Sequence, residues 1–407
     1  MKPAELRRYA DMVVKGCVAL RRGDVLLVRP SLGHRELAIA LTEAAYRGGA
    51  AVVDVDYDDA RVYAARIRHG SKAALGTRAP WRDAEVRALG EEHVGLVQIT
   101  GEFELSEVAN LPPERMAAAV TSQPTGRALA RIRREGRLRG TICAWPTDEW
   151  AARVFPGLDA ARAQRKLAQD LLSFCRIGPG DPAGHKGWTD HLAALRRRAA
   201  RLTKLDLKEV HVVDDGTDLR LRIAPYSLWR GGGETDYWGR RIAMNVPTEE
   251  CFISPDAAAT EGTFRCSRPR SVGGRVIEGL AGEFRGGKLV RLRAKRASDR
   301  DWLARYLAAI PGADRLGEIA LVDATSRIGQ TGRIYFNGLL DENAAAHMAF
   351  GSGFAKTRTV PIGRSRYGVN RSRTHIDVMI GTDALNAHGV TQSGRRVPLV
   401  LDGLWQF

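Results

Sequence analysis

Residues 23–59 read GDVLLVRPSLGHRELAIALTEAAYRGGAAVVDVDYDD, and this stretch decides the fold of the first part of the chain. Its first apolar run is bounded by Gly23 and Pro30, which is typical of a buried strand. The segment that follows has helical periodicity and ends in Gly48 and Gly49, residues that tolerate the left-handed turn closing a helix. The β-branched run after the two glycines indicates a second strand. A helix between two strands is the crossover that lets them pair in parallel.

The same alternation continues to about residue 180. GLVQIT at 95–100 and GTICAW at 140–145 indicate further strands, and helical patterns separate them. We therefore predict an α/β domain with a mostly parallel sheet over residues 1–182. RIGPGDPAGHKGW at 176–188 is a cluster of Gly and Pro, which favours a domain junction.

The pattern changes after this junction. Strand-rich segments such as EVHVVD at 209–214 and GEFRGGKLVRLRA at 282–294 are joined by short Gly-containing turns. Such turns favour antiparallel hairpins. We predict an α+β domain with a mostly antiparallel sheet over residues 183–407.

The charge balance is strongly basic. The 407 residues include 63 Lys+Arg and 47 Asp+Glu, a formal net charge of +16, and 44% are apolar, which excludes disorder as the main state. Arg127–Gly140 and Leu195–Lys204 are the densest arginine segments, but both carry apolar residues at helical spacing and neither belongs to a recognisable nucleic-acid module. We interpret them as amphipathic helices with arginine on the outer face, and we expect no nucleic-acid partner.

The five cysteines are scattered, and none forms a C-x-x-C pair, so we expect neither a disulfide framework nor a thiolate zinc site. No segment reaches the roughly 18–20 apolar residues that a membrane-spanning helix needs. The N-terminus offers no apolar stretch of the signal-peptide kind. We expect a cytoplasmic protein with no membrane partner.

Carboxylates and imidazoles cluster at three places in the second domain. NVPTEECFISP at 245–255 places Glu249 and Glu250 beside an apolar run, where burial is costly unless a cation pairs them. An exposed turn is the alternative explanation for this pair. RLGEIALVDA at 315–324 predicts a half-buried strand from which Glu318 points towards a partner.

Two further segments supply histidines. LLDENAAAHMAFG at 339–351 suggests a short helix with Glu342 in its first turn and with Asn343 and His347 on one face. A satisfied core histidine is the alternative explanation for His347. SRTHIDVMIG at 372–381 places His375 and Asp377 on the same face of one strand, where an imidazole and a carboxylate can bind one metal ion together.

Together these residues form a ligand set of oxygen and nitrogen donors without a thiolate. Its members are Glu250, Glu318, His347, His375 and Asp377. The set is richer in carboxylate than one zinc ion needs, and it suffices for two divalent ions if one carboxylate bridges them. Two such ions can activate a water and polarise a carbonyl oxygen, which suits the hydrolysis of an amide.

These motifs, in this order, resemble the thermophilic metallo-aminopeptidase family, and the likeness spans most of residues 205–385. The resemblance implies a homodimeric two-metal exopeptidase that acts on short peptides or a related small amide. It implies zinc, or else cobalt or manganese, bound by the five residues of the ligand set. Glu342 would transfer protons, and Glu249 would be catalytic beside Glu250 as ligand, although the match at these two glutamates is ambiguous by one residue.

One position departs from the family pattern. Phe354 stands where the family usually carries a tyrosine that donates a hydrogen bond to the developing oxyanion. The loss of one such donor costs on the order of 100-fold in turnover. We therefore expect Phe354 at the substrate and either weak peptidase activity or an unusual substrate.

An alternative stays open at this point. The same scaffold resembles ring-opening dihydroxypyridine dioxygenases, in which His347, His375 and Asp377 would supply the two histidines and one carboxylate that hold a single iron. The presence of Glu250 and Glu318 argues against this, since they would crowd a mononuclear centre with surplus negative charge.

Overall fold

The computed structural model describes residues 3–77, 81–91, 93–101, 105–121, 131–132, 135–359 and 368–407. The chain forms two compact units, each assembled from three segments. Unit 1 contains Met1–Val108, Ser122–Ala194 and Gly232–Thr248, and unit 2 contains Ala109–Thr121, Leu195–Gly231 and Glu249–Phe407. The division between residues 182 and 183 stays a prediction, and the chain passes between the compact units elsewhere, as at residues 194 and 195.

The strands are numbered in chain order. They are β1 Val25–Arg29, β2 Val52–Val55, β3 Val94–Thr100, β4 Arg139–Ala144, β5 Leu207–Asp214, β6 Thr217–Arg222, β7 Arg230–Gly231, β8 Glu234–Thr235, β9 Arg241–Ile242, β10 Asn245–Val246, β11 Cys251–Ile253, β12 Thr260–Arg265, β13 Arg270–Val272, β14 Arg275–Ile277, β15 Ala281–Arg285, β16 Lys288–Arg293, β17 Leu316–Leu321, β18 His347–Gly351, β19 His375–Met379, β20 Asn386–Thr391, β21 Arg396–Leu401 and β22 Leu404–Trp405.

The α-helices are numbered in the same way. They are α1 Pro3–Met12, α2 Arg35–Arg47, α3 Ala60–His69, α4 Lys72–Gly76, α5 Trp81–Glu91, α6 Leu105–Ala109, α7 Pro113–Thr121, α8 Asp148–Val154, α9 Ala160–Phe174, α10 Lys186–Lys204, α11 Ala297–Ala308 and α12 Gly338–Glu342.

Unit 1 contains a parallel sheet in the order β10-β4-β3-β1-β2. Every neighbouring pair in it is parallel. The predicted strand–helix–strand of residues 23–59 is β1, α2 and β2, and the turn after α2 uses Gly49 at a φ of 87°. The predicted α/β class of the first part is confirmed.

Buried charge links the late segment of unit 1 to its sheet. Asp24, next to β1, accepts hydrogen bonds from the guanidinium groups of Arg139 on β4 and of Arg240. All three side chains are almost completely buried. A buried carboxylate shared by two arginines is costly to break, because removal of one partner leaves a charge without compensation.

Unit 2 contains two larger antiparallel sheets. One has the order β19-β18-β17-β11-β7, and the other has the order β16-β15-β12-β6-β5-β20-β21-β22. The predicted α+β class of the second part is confirmed, because every strand pair in these sheets is antiparallel.

The two arginine-rich segments differ in how much of each the structure describes. Arg127–Gly140 falls partly outside the described residues, and within it Ile132 is buried. Leu195–Lys204 is the C-terminal half of α10, which buries Leu195 and Leu202 and carries arginine between them, as expected of an amphipathic helix. No helix in the described ranges combines the length and apolarity needed to cross a bilayer.

A buried histidine follows β1 in unit 1. His34 is 1% exposed; its Nδ1 lies 2.8 Å from Ser31 Oγ, and its Nε2 lies 3.1 Å from the Trp145 carbonyl oxygen. Gly101 leaves room for the ring, because a Cβ there would collide with Nε2. Burial lowers the pKa of His34 to about 4, so the ring is neutral in the folded protein at neutral pH.

This pKa predicts a loss of stability in mild acid. Below pH 6.5 the unfolded chain binds a proton at this histidine, whereas the folded protein binds it only near pH 4. The free energy of unfolding should therefore fall by up to about 3 kcal/mol between pH 6.5 and pH 4 through this residue. Urea unfolding of the native chain and of His34→Gln across this range measures the effect, and His69→Gln, at an exposed histidine, is the control. A His34→Gln profile as steep as the native one would contradict the assignment.

Candidate metal centre

The site lies on one face of the five-stranded sheet of unit 2. Glu318 on β17 and Asp377 on β19 are both paired with Ala349, which lies on the strand between them. His347 and His375 each lie two residues before this row, on β18 and β19. Directly paired residues and residues two apart project from the same face of a sheet. The register therefore brings two carboxylates and two imidazoles together.

The strand β18, which lies between β17 and β19, carries a small residue between the carboxylates of Glu318 and Asp377. Ala349 is fully buried between the two carboxylates. Gly351 is paired with His375 and has a φ of 93°, and a Cβ there would collide with the Thr374 carbonyl oxygen. Ala349 thus adds little volume between the two carboxylates, and Gly351 permits close approach of the Thr374 backbone next to His375.

Two local predictions for this region are wrong. The predicted helix does not carry Asn343 and His347 on one face, because α12 ends at Glu342 and His347 begins β18. The alanines before His347 favour helix locally, but pairing with two neighbouring strands satisfies the backbone and overrides that propensity. The strand of Glu318 is not half-buried either, since every residue of β17 is buried.

Both histidines face carboxylates through Nε2. His347 Nε2 lies 3.1 Å from Glu250 Oε2. His375 Nε2 lies 3.0 Å from Glu318 Oε2 and 3.0 Å from Asp377 Oδ1. Donor atoms of Glu318 also lie within 4.8 Å of those of Glu250 and His347, so the five residues of the predicted ligand set meet in one continuous cluster.

The opposite nitrogen of each ring is fixed by the backbone. His347 Nδ1 lies 3.3 Å from the Ala345 carbonyl oxygen, and His375 Nδ1 lies 2.7 Å from the Ser352 carbonyl oxygen. An Nδ1–H that donates to a carbonyl leaves Nε2 as the lone-pair nitrogen, which is the usual second-shell arrangement around a metal-binding histidine.

The adjacent glutamates have different surroundings. Glu250 directly precedes β11, which pairs with β17, and its carboxylate contacts His347. Glu249 is buried and its backbone N–H donates to Asn343 Oδ1 at 2.7 Å. Among the described residues, two groupings of donor atoms are close enough to share an ion; one of them contains Glu250, and neither contains Glu249.

The electrostatics of the cluster follow from buried negative charge. Burial raises the pKa of Glu318 to about 7, although the hydrogen bond with His375 opposes the rise. Burial alone would lower the pKa of His347, but the hydrogen bond and charge of Glu250 raise it to about 10. Despite burial, the charge and hydrogen bond of His375 hold the pKa of Asp377 below its usual range. Protonated imidazoles thus compensate the carboxylates here, and a divalent cation would supply the same compensation.

Glu342 ends α12 beside this cluster. Burial raises its pKa, and the charges of Asp377 and Glu250 raise it further. Asn343 Nδ2 lies 3.5 Å from Glu342 Oε1 and donates to the Leu339 carbonyl oxygen at 2.9 Å. Asn343 therefore connects α12 with the backbone of Glu249.

Arg270 is a component that the sequence analysis missed. Its Nη2 lies 3.8 Å from Asp377 Oδ2, the carboxylate oxygen that does not face His375. The guanidinium packs over Gly338, where a Cβ would lie 2.8 Å from Nη1. In a chain with 63 Lys+Arg, nothing in the spacing around this residue distinguishes it from the arginines of the surface.

Phe354 lies at the edge of the site. Its ring centroid is 5.2 Å from that of His375 in an edge-on arrangement, and 5.1 Å from that of Phe252. Its backbone N–H donates to Ser254 Oγ at 2.8 Å. The position is close enough to the cluster for contact with a bound substrate.

The donor set fits divalent metal ions. Glu250, Glu318 and His347 form one group, and Glu318, His375 and Asp377 form a second, with the donor atoms of each group within 4.8 Å of one another. Oxygen and imidazole donors in these proportions suit zinc, manganese or cobalt.

Comparisons with known proteins identify the family to which the sequence is similar. The sequence profile described as thermophilic metalloprotease (M29) matches residues 2–405. Aminopeptidase T of Thermus aquaticus is 32% identical over 408 residues, which cover 98% of this chain and 98% of that protein.

Two solved structures share the fold. Wild-type AmpT from Thermus thermophilus superposes with a TM-score of 0.87 at 30% identity, covering 99% of both chains. 2,5-Dihydroxypyridine dioxygenase from Pseudomonas putida KT2440 superposes with a TM-score of 0.55 at 13% identity, covering 100% of this chain and 98% of that one. The second likeness is one of fold alone.

Replacement of a central donor should remove bound metal while the fold persists. His375→Ala deletes the imidazole that faces two carboxylates, and the sheet that carries it is held by backbone pairing and its own core. Elemental analysis after dialysis should show less divalent metal per chain than in the native protein, with near-native circular dichroism. His388→Ala, on β20 of the other large sheet, is the matched control. Gross unfolding of His375→Ala alone would mean that the histidine is structural.

Proposed function

The chain belongs to the thermophilic metalloprotease (M29) family and is therefore a hydrolase, and on that premise we propose that it is a two-metal aminopeptidase acting on short peptides or a related small amide. The observation that carries the proposal is the sharing of Glu318 between two groups of metal-ligating side chains. A shared carboxylate is the element that places two ions side by side.

In this proposal Glu250 and His347 would hold one ion and His375 and Asp377 the other, with Glu318 available to both groups. Zinc is the first choice, with cobalt or manganese as alternatives. Bound ions would supply activation of a water and polarisation of the scissile carbonyl. The chain's contribution is to fix both Nε2 atoms through backbone contacts of Nδ1 and to exclude water from the buried carboxylates.

Glu342 is the proposed proton-transfer group. It is buried beside Asp377 and Glu250 and is absent from both ligand groups among the described residues. A carboxylate so placed accepts a proton from the attacking water and returns it to the leaving amine nitrogen. Glu249 stays a predicted catalytic residue, with its backbone held by Asn343.

The mononuclear dioxygenase is the weaker alternative. Its solved representative shares the fold at 13% identity. Glu250 and Glu318 both lie inside the cluster, and two extra buried carboxylates suit two divalent ions better than one iron. A homodimeric state, a cytoplasmic location and the lack of a nucleic-acid partner stay predictions.

The proposed activity requires a free N-terminus. The native protein should cleave short peptides with a free α-amino group and should leave their N-acetylated counterparts intact, as measured by chromatographic release of the first residue. His375→Ala, purified in parallel, controls for contaminating peptidases. Equal cleavage of acetylated peptides would contradict an aminopeptidase, and one iron per chain on elemental analysis would favour the dioxygenase instead.

Phe354 allows a test of the missing oxyanion donor. Phe354→Tyr should raise kcat on aminoacyl substrates and leave KM nearly unchanged, because the new hydrogen bond forms mainly in the transition state. A tenfold gain corresponds to about 1.4 kcal/mol of added transition-state stabilisation. Phe407→Tyr, at a half-exposed ring near the chain end, is the control. Reduced kcat in Phe354→Tyr would mean that the added hydroxyl does not reach the developing oxyanion.

A further inference from the structure

The metal-ligating cluster is accessible from one side. The side chain of His375 is 28% exposed, whereas the side chains of its other members are exposed by 10% or less, namely Glu250 at 9%, Glu318 at 4%, His347 at 1% and Asp377 at 10%. A substrate that reaches these donors therefore approaches along His375.

A phenylalanine ring lies beside His375, and a second phenylalanine ring packs against the first. Phe354 is 38% exposed and its ring lies 5.2 Å from that of His375. Phe252 lies 5.1 Å from Phe354, and alternation along β11 puts it on the same face as Glu250. We name this pair the aromatic wall.

The wall is anchored to the sheet that carries the donors. Phe252 is paired with Ala320 of β17, and the backbone of Phe354 is held by Ser254 Oγ. The backbones that carry the two rings are therefore held relative to the strands of the donors, as a specificity subsite requires.

We infer that the aromatic wall formed by Phe252 and Phe354 is the subsite for the side chain of the substrate's N-terminal residue, and that it selects apolar side chains. This inference rests on the proposed aminopeptidase function and names the substrate class of that site. An apolar side chain is stabilised when it leaves water and packs against the rings, whereas a charged side chain is destabilised there by the loss of its hydration.

Lysine is the informative competitor. The carboxylates of the cluster attract a cationic side chain, so selection by charge alone would favour Lys substrates over Leu substrates. Selection by the aromatic wall favours Leu and Phe over Lys and Ala. The order of kcat/KM on Leu-, Phe-, Lys- and Ala-p-nitroanilide separates the two.

Two substitutions of Phe252 with similar side-chain size separate the effect of apolarity from the effect of size. Phe252→Leu keeps an apolar wall, while Phe252→Gln replaces it with a polar side chain and leaves the ring beside His375 in place. The ratio of kcat/KM for Leu- over Ala-p-nitroanilide should stay within a few-fold of native in Phe252→Leu and fall roughly tenfold in Phe252→Gln. Phe407→Gln is the control for a general effect of this replacement. Native metal content in each variant shows that the cluster is intact.

The outcomes are distinct. Equal ratios in the Leu and Gln variants, or a native protein that cleaves Lys and Leu substrates equally well, would overturn the inference and leave the aminopeptidase function standing. Failure of the metal-loaded native protein to cleave any of the four substrates would overturn both. If Phe252→Gln does not fold, Phe252→Met is measured in its place. Met and Leu both keep the wall apolar. A kcat/KM ratio for Leu over Ala substrates that is much lower in Phe252→Met than in Phe252→Leu would therefore also overturn the inference.

Discussion

The burial of negative charge is the constraint on which the functional part of the structure depends. Glu250, Glu318 and Asp377 lie together with little access to water, an arrangement that is costly unless cations meet them. In the protein alone, the imidazoles of His347 and His375 supply that compensation at 3.0–3.1 Å. In the proposed metal site, the same geometry would present both Nε2 atoms to a divalent ion, so charge compensation and metal binding would use one set of contacts.

The sheet holds this charge in place through its register. The strand β18 runs between the two strands that carry Glu318 and Asp377, and its Ala349 leaves the space between those side chains open. Backbone carbonyls fix the far side of each imidazole. Because backbone pairing sets most of these positions, the site is rigid before any ligand arrives, which is what fast chemistry at a preorganised centre requires.

Each compact unit pairs its buried charged side chains with one another. In unit 1, Asp24 compensates Arg139 and Arg240 and connects the segment 232–248 to the parallel sheet. In unit 2, Arg270 faces the outer oxygen of Asp377 from the hairpin of β13 and β14. Three arginines of the basic chain, Arg139, Arg240 and Arg270, are thus used inside the fold.

The sequence by itself determined the class of both parts of the chain and singled out five side chains that the structure brings together, because periodicity reports which face a residue occupies and residue type reports its chemistry. The H-x-D pair of His375 and Asp377 could be assigned to one face of a strand in this way. Only the tertiary structure decided that His347 begins a strand, that the carboxylate of Glu250 meets His347, and that Arg270 lies at the site. Each of these depends on pairing between residues distant in sequence, and long-range pairing overrides local propensity without leaving a local signal.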